Sequence, residues 1–185
     1  MKNIWKLMLV GLFTVAVALP ALAGVKSEAE YIADLGSPKD KVVIAAMQGI
    51  EKNYPTSADA QVKIKALLAD NRIDVKRKAA RVLGIVGADV SSTDLDNIAT
   101  LLASSDKATV TDGLKSLRGL KAQSTVPKIV PLLQNPDKNI KRDACRTLAI
   151  LGDKSVIPSI QPLTSDSDPK VAGDAADAIA QIKAR

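Results

Sequence analysis

The chain has 185 residues, with 26 Lys and Arg against 20 Asp and Glu, one cysteine and no histidine. The missing histidine removes the usual general base and the commonest metal ligand, and the lone Cys145 has no partner for an internal disulfide. Aromatic residues make up 2% of the chain, so a core must come from Ala, Leu, Ile and Val, side chains suited to closely packed helices.

Residues 1–6 carry two lysines and no acid, residues 7–19 carry no charge, and Pro20 leads into Ala21-Leu22-Ala23. A basic start, an apolar centre and an A-x-A end are the parts of a secretory signal peptide, so residues 1–23 are expected to direct export, with cleavage between Ala23 and Gly24. The uncharged run from 7 to 23 is at the short limit for a membrane span; Pro20 and the A-x-A end favour cleavage over an anchor. An uncleaved segment would be the one route to membrane association. Cleavage removes Trp5, Phe13, Lys2 and Lys6 and takes the formal charge from +6 to +4. The expected product is one domain, residues 24–185, in the periplasm or secreted.

From residue 27 the chain reads as paired helices. Ser27-Glu28-Ala29-Glu30 is a capping box that opens the first one. Short apolar patterns then recur as Tyr31-Ile32 with Leu35, Ile64 with Leu67-Leu68, Ile98 with Leu101-Leu102, Ile129 with Leu132-Leu133, and Ile160 with Leu163. Each predicts a first helix of about ten residues. A longer pattern follows each, anchored at Val42, Val75, Thr109, Ile140 and Val171. Four residues on stand Ala46, Ala79, Gly113, Ala144 and Ala175; eight on stand Ile50, Leu83, Leu117, Leu148 and Ile179. Eleven on stand Asn53, Val86, Leu120, Leu151 and Ile182. Offsets 0, 4, 8 and 11 share one side of a helix, and they predict five second helices of about fifteen residues.

The punctuation agrees. Pro127 and Pro158 suit first-helix N-termini, while Pro131 and Pro162, one turn further in, should bend those helices. Gly87 and Gly152 stand where a left-handed cap is expected. Polar turns join the paired helices: Asp70-Asn71-Arg72, Ser104-Ser105-Asp106, Asn135-Pro136-Asp137 and Asp166-Ser167-Asp168-Pro169.

These residues resemble the HEAT repeat, in particular the bacterial form also found in phycobilisome-lyase-type proteins. The likeness is strongest in Asn135-Pro136-Asp137, Ile140-Lys141-Arg142, Ala144-Cys145, Leu148 and Gly152-Asp153, and again in Val75-Lys76-Arg77, Ala79-Ala80, Leu83-Gly84 and Gly87-Ala88-Asp89. The third unit departs at Thr109, and the first departs most, with its longer Tyr54-Pro55-Thr56-Ser57 turn. The resemblance implies an all-α fold, an α-solenoid of about five HEAT-like helix pairs spanning roughly 27–54, 58–88, 93–121, 124–153 and 155–185. It implies that second helices line the concave side. It also gives Lys76 and Lys141 the family role of pairing with a turn acid, Asp70 for Lys76; Asn135 could offer Lys141 only a hydrogen bond. A helix pair cannot bury its apolar face alone, so each unit needs neighbours.

Little here could carry chemistry. Cys145 falls five residues after its anchor, where other units have Met47, Ala80, Leu114 and Ala176, and reads as a core residue. No Gly-rich phosphate loop, nucleophile elbow or cysteine cluster is present, so no catalytic residue, metal site or cofactor is expected. Asp166-Ser167-Asp168 lacks the Gly and terminal Glu of a calcium loop and reads as a turn.

One constellation stands apart. Offsets +2 and +6 on the second helices face away from the predicted core. In units two to four they hold Arg77, Arg81, Lys115, Arg142 and Arg146, a basic stripe that the repeat does not require, since the last unit has Gly173 and Asp177 there. The stripe is either a solvated helix face or a binding surface. Export, modest charge and the absence of a tyrosine in the stripe argue against nucleic acid. The expectation is a non-enzymatic, exported scaffold or adaptor in the cell envelope that binds a protein partner, an acidic one if the stripe is used. Alternatives are a bilin-lyase-like or other enzyme-accessory HEAT protein, or a structural envelope protein.

Overall fold

The computed structural model describes residues 25–185, and their regular secondary structure is all helical. The expected signal segment and its Ala23–Gly24 junction lie outside the described residues. Ten α-helices alternate short and long. The short first helices are α1 (Glu28–Asp34), α3 (Ala58–Ala66), α5 (Ser92–Ala99), α7 (Val126–Ile129) and α9 (Ile157–Ile160). The long second helices are α2 (Asp40–Asn53), α4 (Ile73–Val86), α6 (Lys107–Gly119), α8 (Lys138–Leu151) and α10 (Pro169–Lys183). Two layers result: the second helices touch in sequence, α2 to α4 to α6 to α8 to α10, with the first helices behind them. Neighbouring second helices pack against one another more extensively than neighbouring first helices do.

Each α-helical first helix from α3 onward tightens into a 3-10 stretch: Leu67–Ala69, Thr100–Ala103, Val130–Gln134 and Gln161–Ser165. Pro131 and Pro162 stand near the start of the last two, as the sequence predicts. The same tightening in the third and fifth helices, which lack these prolines, shows that the repeat itself imposes it. Ser27 and Glu30 form the expected reciprocal capping box. Asp106, Asp137 and Asp168 cap α6, α8 and α10 by accepting from the second and third backbone N–H groups of each helix.

The anchor register holds, with a wider buried arc. Val75, Thr109, Ile140 and Val171 are buried, as are the residues four and eight later in all five units. Offset +7 is buried too in the last four units, at Val82, Ser116, Thr147 and Ala178, because that side meets a neighbouring second helix. The hydroxyls of Ser116 and Thr147 return to their own helix, donating to the carbonyls of Asp112 and Asp143 at 2.7 Å each. In unit one the fully buried residue is Val43, not Val42, a slip of one position in the unit that departs most from the pattern.

Of the two left-handed caps expected, one is corrected. Gly87 adopts the left-handed conformation, φ 64°, but Gly152 is extended, φ −77° and ψ 163°. Glycine is needed at 152 for space: a Cβ there would lie 2.7 Å from Val156 Cγ2 and 2.8 Å from the Leu148 carbonyl oxygen. The left-handed position of unit three is held by Lys121, φ 52°, a residue that pays for this conformation sterically.

Candidate functional site

Helices α4, α6, α8 and α10 carry their offset +2, +3 and +6 residues along one side of the stack. These three rows behave differently, and the difference follows from which residue faces the next unit.

Offset +2 faces offset +3 of the following unit. Arg77 reaches Asp112 at 3.7 Å, Thr111 donates to Asp143 at 3.1 Å, and Arg142 donates to Asp174 at 2.7 Å. A second set of links joins the N-terminal turns. Arg77 bonds the cap of α6, Asp106, at 3.4 Å; Lys107 pairs with the cap of α8, Asp137, at 2.5 Å; and Lys138 pairs with the cap of α10, Asp168, at 2.9 Å. Lys141 adds a bond to Asp166 in the turn of the next unit. Units two to four therefore each reach forward with a donor to an acid of the next unit.

The first joint has the charges reversed, and one of its pairs uses a residue two turns further along α2 than the later joints do. Arg72, at the cap position of α4, reaches back to Asp40 of α2 at 3.2 Å, and Lys78, at offset +3 of α4, pairs with Glu51 of α2 at 2.7 Å.

These links correct the role implied for Lys76 and Lys141. Asp70 is taken by Arg72, at 2.7 Å, and not by Lys76. Lys141 passes over Asn135 to Asp166 of the next unit, while the Asn135 side chain accepts from the Asp137 backbone N–H at 2.9 Å. Of the two lysines only Lys141 makes an ion pair, and it does so with the next unit; Lys76 makes none among the described residues. Four acids of the turns and caps are held ionised. The Arg72 guanidinium keeps the Asp70 carboxyl below the usual carboxylate range, as Lys107 does for Asp137, Lys141 for Asp166 and Lys138 for Asp168.

The expected basic stripe therefore divides. Arg77 and Arg142, at offset +2, are clamps between units. Arg146, at offset +6, is half-exposed and reaches Asp174 of the next unit at 3.1 Å, with Asp143 of its own helix at 3.9 Å. The repulsion that stacked like charges would suffer is removed by the facing acids. Arg81 and Lys115 are different: both are exposed, and neither makes an ion pair or side-chain hydrogen bond among the described residues.

Arg81 and Lys115 meet at one cleft between α4 and α6, of about 230 Å³, lined also by Gly84, Ile85, Asp112 and Ser116. Its floor is almost bare backbone. A Cβ on Gly84 would come within 2.8 Å of Ser116 Cα, and one on Gly119 within 2.3 Å of the Gly84 carbonyl oxygen. The two helices touch through their main chains here. Ile85, 57% exposed, stands at the edge, and Ile150 of α8, 45% exposed, occupies the matching offset two units on. On the other side of Lys115, a second cleft of about 340 Å³ runs between α6 and α8 past Thr111, Asp112 and Asp137. Periodicity flagged Arg81 and Lys115; it missed Ile85, Ile150 and Asp112, whose meaning depends on neighbours about 30 residues away in sequence.

Cys145 is fully buried, and desolvation pushes its thiol up to about 11. Asp166 and Asp168 are engaged by Lys141 and Lys138, and Asp168 also caps α10. No group of His, Cys, Asp or Glu side chains among the described residues is arranged to hold a metal ion. None of the described helices is long and apolar enough to cross a membrane.

Stacked helix pairs with a continuous core and repeating inter-unit clamps define an α-solenoid. A family model described as HEAT repeats matches residues 98–180, from α5 into α10. The fold is similar to the complex of CpcE and CpcF of phycocyanin lyase from Nostoc sp. PCC7120, with a TM-score of 0.70 and 22% identity over 91% of this chain and 70% of that one. It is also similar to an engineered protein, with a TM-score of 0.64 and 18% identity over 85% of this chain and 79% of that one. A designed armadillo repeat protein gives a TM-score of 0.56 and 14% identity over 82% of this chain and 80% of that one. At these identities the likeness is one of fold. No curated protein matches the chain.

Proposed function

We propose that the chain is a non-enzymatic scaffold or adaptor that holds a protein partner against its second-helix layer, exported to the cell envelope under the direction of residues 1–23. The observation that carries this reading is the pair Arg81 and Lys115. In a layer whose other outward cations at offsets +2 and +6 are neutralised by acids of the stack, these two are exposed, unpaired and beside the exposed Ile85. Unneutralised charge next to exposed aliphatic surface costs the isolated protein and suits a partner of opposite charge.

The test is affinity capture from an envelope fraction with the full chain, comparing wild type with an Arg81→Ser/Lys115→Ser variant. Arg146 is left intact because it belongs to the clamp on Asp174. The expected result is an unchanged melting temperature and loss of a partner that wild type retains. A partner retained equally by both proteins would move the binding surface elsewhere. Failure of wild type to retain any protein would remove the scaffold reading.

The phycocyanin lyase complex shares the fold, and attachment of a bilin is the alternative reading. The sole cysteine of this chain is buried, which gives a bilin no accessible thiol here. An absorbance shift on mixing the purified chain with a bilin would favour that alternative.

A further inference from the structure

We infer that the cleft between α4 and α6 seats the carboxylate of an acidic side chain on an extended peptide segment of the partner, with an aliphatic neighbour resting on Ile85. This rests on the scaffold reading and makes it specific.

Three features of the cleft select this ligand. Arg81 and Lys115 approach from opposite walls, so a carboxylate entering between them meets a cation on each side. Asp112 shares the lining and holds a carboxylate in the cleft, 3.7 Å from Arg77. That acid can accept a backbone N–H, which a peptide supplies beside its own carboxylate and a phosphodiester does not. The floor at Gly84 and Ser116 carries little side chain, and about 230 Å³ has room for one side chain and no more than a strand of backbone.

The repeat then sets a register. Second helices stand about 10 Å apart, and an extended chain advances about 3.3 Å per residue. A peptide crossing α4, α6 and α8 along the offset +6 row brings every third residue level with a successive helix, at Arg81, Lys115 and Arg146. The segment recognised is therefore acidic at every third position with an aliphatic residue between, Ile85 and Ile150 being its apolar contacts.

The probe is the fluorescein-labelled peptide Gly-(Leu-Glu-Gly)3, titrated against the full chain by fluorescence anisotropy. Controls replace its leucines with glycine or regroup its glutamates as one block. The expected result is binding by wild type, at least tenfold weaker in the Arg81→Ser/Lys115→Ser variant, within twofold of wild type in Arg118→Ser, and weakened by either peptide control. Absence of binding overturns the inference. So does equal binding of the regrouped peptide, or equal loss in Arg118→Ser, since diffuse charge would then suffice. Binding to 7:3 phosphatidylcholine–phosphatidylglycerol vesicles in place of the peptide assigns the cleft to lipid and also overturns it. If the envelope capture above succeeds while the peptide fails, the inference falls and the scaffold stands; if both fail, both fall.

Discussion

Arg142 of α8 and Asp174 of α10 lie 2.7 Å apart in the same relative places that Thr111 and Asp143 occupy, at 3.1 Å, one unit earlier. The solenoid thus uses one geometric joint with interchangeable chemistry, an ion pair in one unit and a neutral donor in another. Asp174 also receives Arg146, and its side chain is 15% exposed. Its replacement by Ala strands two guanidinium groups, one of them mostly buried. We expect Asp174→Ala to cost about 1–3 kcal/mol, read as a lower urea midpoint. Arg146→Ser, which removes the more exposed partner, should cost well under half of that.

Lys121 is the one non-glycine residue with positive φ among the described residues, and its counterpart Gly87 shares the conformation. Lys121→Gly should stabilise the chain by about 0.5–1 kcal/mol, with Gly87→Ala costing a similar amount. Thermal melting of the two variants, shifting in opposite directions, is the measurement.

The glycines of the second helices should respond oppositely to one substitution. At Gly119 a Cβ would collide with the Gly84 carbonyl, whereas at Gly173 it would meet nothing within 4 Å. Gly119→Ala should destabilise by about 1–3 kcal/mol through separation of α4 and α6. Gly173→Ala, within α10, should stabilise by up to about 1 kcal/mol from helix propensity. Paired urea titrations check the sign of each.

Acid should loosen the joints. Asp70, Asp137, Asp166 and Asp168 are all held below their ordinary value of 3.8 in the folded chain. A depressed carboxylate contributes stability that is fully present above the unfolded value and is lost as pH falls through the folded one. The urea midpoint should therefore change little between pH 8 and pH 5 on account of these groups, and fall below about pH 4. Asp166→Asn should shrink that fall.

Cys145 offers a probe of opening. Its thiol is buried and its ionisation is pushed up to about 11, so the thiolate is scarce at neutral pH. Labelling by an aromatic disulfide reagent should be slow in buffer and rapid in urea. A folded protein that labels as fast as free cysteine would place Cys145 outside the core.

The architecture was legible in the sequence because helical periodicity is local. Val75, Ala79 and Leu83 lie within nine residues, and their shared face needs no knowledge of the rest of the chain. The slip to Val43 in unit one was not legible, since a neighbouring valine satisfies the pattern equally well. The division of the basic stripe was hidden for a different reason. Arg81 and Arg142 look alike along the chain, and only Asp174, 32 residues beyond Arg142, turns one of them into a clamp. The pattern showed which side of each helix is outward, but the charge of the facing helix decides what remains free to bind.

The reversed joint between α2 and α4 gives the stack an address system. Asp40 and Glu51 accept only a successor that brings cations to the cap and offset +3 positions, which Arg72 and Lys78 do. Put the fourth unit in place of the second, and Asp137 would confront Asp40 while Asp143 confronted Glu51. Modules that share one fold are thus not freely shuffled, and a rearranged solenoid would advertise its wrong order as acid against acid at the first seam.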